Sequence, residues 1–128
     1  MIIELTDSLL FENISFLKHE NISIDIHNDY DFRELLFEQT RMALLFVEEI
    51  NHNKFIEFIF EDIGLTKFKI TQFEVPDSVT IDNFYRGKVE LNGVLIEQDS
   101  NNKKYFYLDF LEDIQIELWC SRLYLNIC

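Results

Sequence analysis

Along most of this chain apolar and polar residues alternate with a period of two. From about residue 11 the alternation is broken every ten residues or so by turn-forming clusters, the pattern of short antiparallel strands. It predicts strands over Phe11–Lys18, Ile22–His27, Arg41–Ile50, Lys54–Glu61, Thr66–Phe73, Lys88–Leu91, Val94–Glu97, Tyr105–Phe110 and Ile114–Leu125, with breaks at HEN, NHN, DIG, PDS, NG and DSNNK. The expected fold is mainly β, a single-domain antiparallel meander arranged as a curled sheet or a sandwich.

Two hairpins can be placed in register from sequence. In KVELNGVLIE, Asn92-Gly93 suits a two-residue type I′ turn, which needs positive φ at both positions. Leu91 then faces Val94, Val89 faces Ile96 and Lys88 meets Glu97, which gives the hairpin an apolar side expected to lie against the core. In YFYLDFLEDIQIELWC a three-residue loop of Leu111, Glu112 and Asp113 pairs Phe110 with Ile114, Leu108 with Ile116 and Phe106 with Leu118. The opposite face then carries Asp109 with Gln115, Tyr107 with Glu117 and Tyr105 with Trp119.

Residues 28–50 read less simply. NDYDFRELLFEQTRMALLFVEEI is rich in good helix formers, yet one long helix would turn Phe37, Leu44 and Leu45 away from its apolar stripe. A short helix or irregular turn near residues 31–39, followed by a buried strand, accommodates both halves.

Size and composition agree with this picture. A length of 128 residues suits one domain, and 48% hydrophobic residues with thirteen Phe provide ample core. The longest unbroken apolar run, Met42–Val47, is far short of the roughly 20 residues that cross a bilayer. The opening MIIELTDSLLFE carries Glu4 and Asp7 and has no basic segment ahead of its apolar residues, so no secretory signal is expected and the cytoplasm is the expected location. Cys120 and Cys128 lack metal-site spacing and are expected as free thiols.

Charge narrows the partners. A formal net charge of −13 repels nucleic acid and anionic lipid, so a charged partner is expected to be a basic protein; the same charge also serves solubility.

No motif names a chemistry. In DIHNDYD, extended backbone would line up Asp25, His27, Asp29 and Asp31 as metal ligands, but a polar strand end entering an Asp-capped turn accounts for the same residues. Neither cysteine has a nearby His, no Ser sits in a glycine-flanked elbow, and Gly64, Gly87 and Gly93 form no phosphate loop. Adjacent carboxylates such as Glu48-Glu49 and Glu112-Asp113 point to opposite faces of a strand. No catalytic residue, cofactor or metal is expected.

What remains is the outer face of the C-terminal hairpin. Tyr105, Tyr107 and Trp119 beside Asp109 and Glu117 have the composition of a protein interface. The competing reading is that another segment, such as residues 28–40, covers these rings as a second layer.

The segments LTDSLLFENISF, FIEFIFEDIGLTKFKI, SVTIDNFYRGKVELNG and KYFYLDFLEDIQIELWC, in a small acidic β-rich chain, resemble the immunity proteins of bacterial polymorphic-toxin and contact-dependent inhibition systems. The resemblance implies a noncatalytic protein that occludes a basic toxin or nuclease domain, and it carries over no site residue. Readings from other classes are an acidic decoy that mimics nucleic acid to inhibit a defence protein, a small-ligand-binding β domain, and a homodimer subunit.

Overall fold

The computed structural model describes residues 1–8, 12–64, 66–70, 79–87, 89–96, 99–100, 102–110 and 114–128. In chain order the elements are β1 (Ile2–Glu4), β2 (Phe16–His19), β3 (Ile22–Asp25), α1 (Ile26–Asp29), β4 (Tyr30–Glu38), β5 (Arg41–Glu48) and β6 (Phe55–Glu61). Then come β7 (Thr66–Ile70), β8 (Ile81–Arg86), β9 (Val89–Leu91), β10 (Val94–Ile96), β11 (Asp99–Ser100), β12 (Lys103–Phe110), β13 (Ile114–Cys120) and β14 (Arg122–Ile127).

Alternation along each strand segregates the side chains, and the apolar faces bury themselves by stacking two antiparallel sheets. Sheet A has the order β1-β14-β6-β5-β4. In sheet B, β12 lies between β13 and β8, β7 flanks β13, and the short β11 pairs with the start of β12. Phenylalanines meet between the layers: Phe58 with Phe84 at 5.1 Å, Phe60 with Phe106 at 6.0 Å and Phe46 with Phe110 at 6.4 Å between ring centroids. All but Phe110 of these are fully buried, each contributing about 1.5–3 kcal/mol through burial alone. The expected mainly β fold with antiparallel sheets is thus what the chain adopts.

The layers share strands. The predicted strand Ile114–Leu125 bends at Ser121 and becomes β13 in sheet B and β14 in sheet A, while its neighbour passes from β6 to β7. Between the pairs Glu61–Arg122 and Leu118–Thr66 the β6–β7 side has one residue more, and Asp62 takes a left-handed φ of 56° there. Ser121 Oγ donates to Asp62 Oδ2 at 2.5 Å, and Lys103 Nζ donates to Asp62 O at 2.6 Å with Oδ2 at 3.2 Å. These bonds hold the Asp62 carboxyl below its usual range.

At the β8 edge the β2–β3 hairpin closes the sandwich. Asn13 Oδ1 accepts the Phe84 and Ser15 amides, Ile14 N donates to Phe84 O, and Ile14, Ile24 and Ile26 enter the core.

Three expectations need correction. Residues 31–39 hold no helix: Tyr30–Glu38 is strand β4, paired with β5, and the short helix is the single turn Ile26–Asp29 just before it. Pairing to β5 at eight of the nine β4 residues, with Arg33 at a bulge, outweighs the helical propensity of this segment. Second, the Asn-Gly hairpin forms in the expected register, with Asn92 and Gly93 at φ 52° and 78°, but Leu91, Val94 and Ile96 of its expected core side are exposed. Among the described residues β9 and β10 pair with each other and with no further strand. Third, sequence reading missed β1, β8 and β11. The Lys88–Glu97 pairing, the 71–73 end of the predicted third-quarter strand and the 111–113 loop lie outside the described residues.

Candidate functional site

The C-terminal hairpin has the register expected from sequence: Tyr105 opposite Trp119, Tyr107 opposite Glu117 and Asp109 opposite Gln115. Phe106, Leu108, Phe110, Ile116 and Leu118 take the core side. All five residues singled out as partner-binding, Tyr105, Tyr107, Asp109, Glu117 and Trp119, therefore share the outer face of sheet B.

Their accessibility differs. Tyr105 is only 3% exposed; its ring meets Trp119 at 4.9 Å and its hydroxyl donates to Glu117 Oε1 at 2.6 Å. Burial first, and the Glu117 carboxylate second, push the Tyr105 phenol well above its ordinary range. This tyrosine stays neutral and structural, and it is not an exposed anchor. Residues 28–40 do not form a layer over it, since they belong to α1 and sheet A. Tyr107, Asp109, Glu117 and Trp119 are partly buried. Burial also raises the Tyr107 phenol, helped by Asp109 and Glu117.

Neighbouring strands extend this face with residues the sequence reading did not include. From β8, Tyr85 stands opposite Tyr107 and Asn83 opposite Asp109; Asn83 Nδ2 donates to Asp109 Oδ2 at 3.4 Å and Tyr85 Oη to Asn83 Oδ1 at 3.2 Å. From β7, Lys67 stands opposite Glu117 and Lys69 opposite Gln115, with Lys67 Nζ 3.9 Å from Glu117 Oε2. Both Glu117 oxygens are therefore engaged, and the two lysines balance the two acids. The rings are not ringed by acid alone, as the hairpin taken by itself suggested.

The outer face of sheet A is different. Register brings Glu4, Tyr124, Ile59, Ala43 and Leu36 into one row across the five strands, and Ile2, Asn126, Glu57, Leu45 and Glu34 into the next. At the end of the sheet beyond the Glu4 row, Arg122 stands opposite Glu61 and Arg41 opposite Glu38. Arg122 Nε donates to Glu4 Oε2 at 2.9 Å, its guanidinium lies 5.2 Å from the Tyr124 ring centre, and Tyr124 Oη donates to Glu61 Oε1 at 2.6 Å. The Glu61 bond, more than burial, raises the Tyr124 phenol. The signal for this surface was present in the sequence: Met42–Val47 is apolar at consecutive positions, so β5 is apolar on both faces while only one meets sheet B.

The DIHNDYD constellation does not assemble as metal ligands. Asp25 caps α1, accepting the Asn28 amide at 3.1 Å and its side-chain nitrogen at 2.8 Å, while His27 Nδ1 lies 2.7 Å from Ile81 O. The one-turn helix breaks the every-second-residue alignment that a metal site would have used. Among the described residues no group of three or more His, Cys, Asp or Glu could hold a metal ion.

Of the two cysteines, Cys128 is exposed, whereas burial pushes the Cys120 thiol up to about 12. No described helix is long and apolar enough to cross a membrane.

The chain matches no family model and no curated protein. Its function must therefore be argued from these surfaces.

Proposed function

We propose that the protein is a noncatalytic, acidic binding domain that captures and occludes a basic protein, in the manner of a bacterial immunity protein against a cationic toxin or nuclease domain. The formal charge of −13 carries this reading. It would accelerate encounter with a cationic partner at low salt, while apolar and aromatic contacts would slow dissociation. Acidic groups on both outer sheet faces support it, Glu117 on one and Glu4, Glu57 and Glu61 on the other, where a basic partner would meet them.

The test is co-expression with a panel of cationic toxin and nuclease domains, together with surface plasmon resonance between the purified proteins at 50 and 300 mM salt. Protection of growth, with an association rate that falls at least tenfold at the higher salt, is the expected result. A panel that kills unchecked and shows no binding at 50 mM salt would overturn the proposal.

A further inference from the structure

The two outer faces offer very different electrostatics to the same partner. By strand register, the outer face of sheet B sets Asp109 and Glu117 against Lys67 and Lys69, a neutral balance. That of sheet A sets six carboxylates, Glu4, Asp31, Glu34, Glu38, Glu57 and Glu61, against the exposed Arg33 at the β4 bulge and two guanidinium groups placed by register, Arg41 and Arg122. Arg41 and Arg122 lie at one end of the sheet, with Arg122 committed to Glu4. Glu34 and Glu57 flank Leu45 in the row of Ile2 and Asn126, and among the described residues no cation pairs with either.

Between these carboxylates the sheet is apolar. Ile59 and Ala43 are only 5% and 7% exposed, although they face away from the phenylalanine core, and Leu45, Val47 and Phe55 are partly buried beside them. Leu36 at 51% and Ile2 at 65% exposure extend the patch to both edges. An apolar patch flanked by acidic side chains such as Glu34 and Glu57 is the anatomy of a protein interface with a partner of the opposite sign.

We propose that the outer face of sheet A, where the exposed Leu36 and the half-buried Leu45 stand beside the buried Ile59 and Ala43 and are rimmed by Glu34 and Glu57, is the docking surface for a basic, apolar-faced protein segment. The inference rests on the basic-partner reading above and moves its contact surface from the Tyr/Trp face of sheet B to sheet A. Charge complementarity selects this occupant over a second copy of the chain, since two such faces brought together would oppose carboxylate to carboxylate.

The probe is a synthetic amphipathic peptide of alternating leucine and lysine, titrated into the 15N-labelled protein at 50 mM salt and followed by amide shifts, with calorimetry for affinity. Shifts should concentrate on residues 31–38, 41–47 and 55–61. The Glu34→Gln/Glu57→Gln variant should bind about tenfold more weakly, and Tyr107→Ala/Asp109→Asn should bind as the wild type does. Circular dichroism establishes that each variant is folded. Wild-type binding whose shifts fall on β12 and β13, or that is unchanged in Glu34→Gln/Glu57→Gln, would overturn the sheet A surface while keeping the basic-partner reading. No wild-type binding at 50 mM salt would overturn that reading and this surface with it. Shifts on sheet A that depend on protein concentration without peptide would identify a second copy as the occupant and overturn the basic segment.

Discussion

Replacing Tyr105 with alanine separates a structural ring from a binding one. About 200 Å2 of aromatic side chain at about 25 cal/mol per Å2 corresponds to about 5 kcal/mol of burial. With Tyr105 only 3% exposed, nearly all of that is at stake. The unfolded chain already hides part of this surface, so the expected loss is about 3–5 kcal/mol. Tyr105→Phe keeps the ring and removes only the bond to Glu117 Oε1, so it should cost about 1–1.5 kcal/mol. Urea denaturation followed by circular dichroism measures both, with Glu117→Gln completing a double-mutant cycle whose coupling should reach about 1 kcal/mol. A Tyr105→Ala protein destabilised by less than about 1 kcal/mol would refute the reasoning. It would mean that the ring is free to contact a partner, as the hairpin sequence alone suggested.

Three further outcomes are expected. Stability should fall on the alkaline side: the folded state holds its protons more tightly at Cys120 and Tyr105, so the unfolded chain releases them first, and urea midpoints should drop as pH rises from about 9 through 11, less steeply in Tyr105→Phe. A midpoint independent of pH over that window would contradict these environments. A thiol reagent should label Cys128 rapidly and Cys120 only on unfolding, giving one fast equivalent in native protein and two in urea; two fast equivalents would disprove the burial of Cys120. Asp25→Ala should destabilise by about 1 kcal/mol through loss of the α1 cap, and thermal melting that shows no change would remove that cap from the fold's supports.

Hairpin registers were legible in the sequence because alternation and turn chemistry are local. Phe110–Ile114 and Leu91–Val94 follow directly from where the turns fall. What local pattern could not give was which layer each strand joins. Leu91, Val94 and Ile96 read as core because an apolar face ordinarily finds cover, and the exposure of β9 and β10 depends on the rest of the chain. The same limit applies to Arg33–Phe37, whose helical propensity yields to pairing with β5, a decision made by tertiary contacts. The register of the Tyr/Trp face followed from the hairpin, but its charge balance depended on Lys67 and Lys69, which stand 50 and 46 positions before the Glu117 and Gln115 they face and reach the site through the β7–β13 pairing. Sheet A's outer face is more distributed still, since each of its rows draws on widely separated segments.

The position of β14 between β1 and β6 bears on how the protein is made. Among the described residues Ile2, Ile3 and Glu4 pair with Asn126, Leu125 and Tyr124 alone, so β1 has no strand partner until β14 has been synthesised. Sheet B cannot be completed much earlier, because β7 waits for β13, although β12 can already pair with β8. The β4–β5–β6 meander is the part able to form while translation continues, and its apolar faces stand uncovered in the interval. Completion of both sheets thus waits for β13 and β14, and a chain stalled before residue 121 would expose phenylalanines that belong to the interior, a ready substrate for chaperones and proteases.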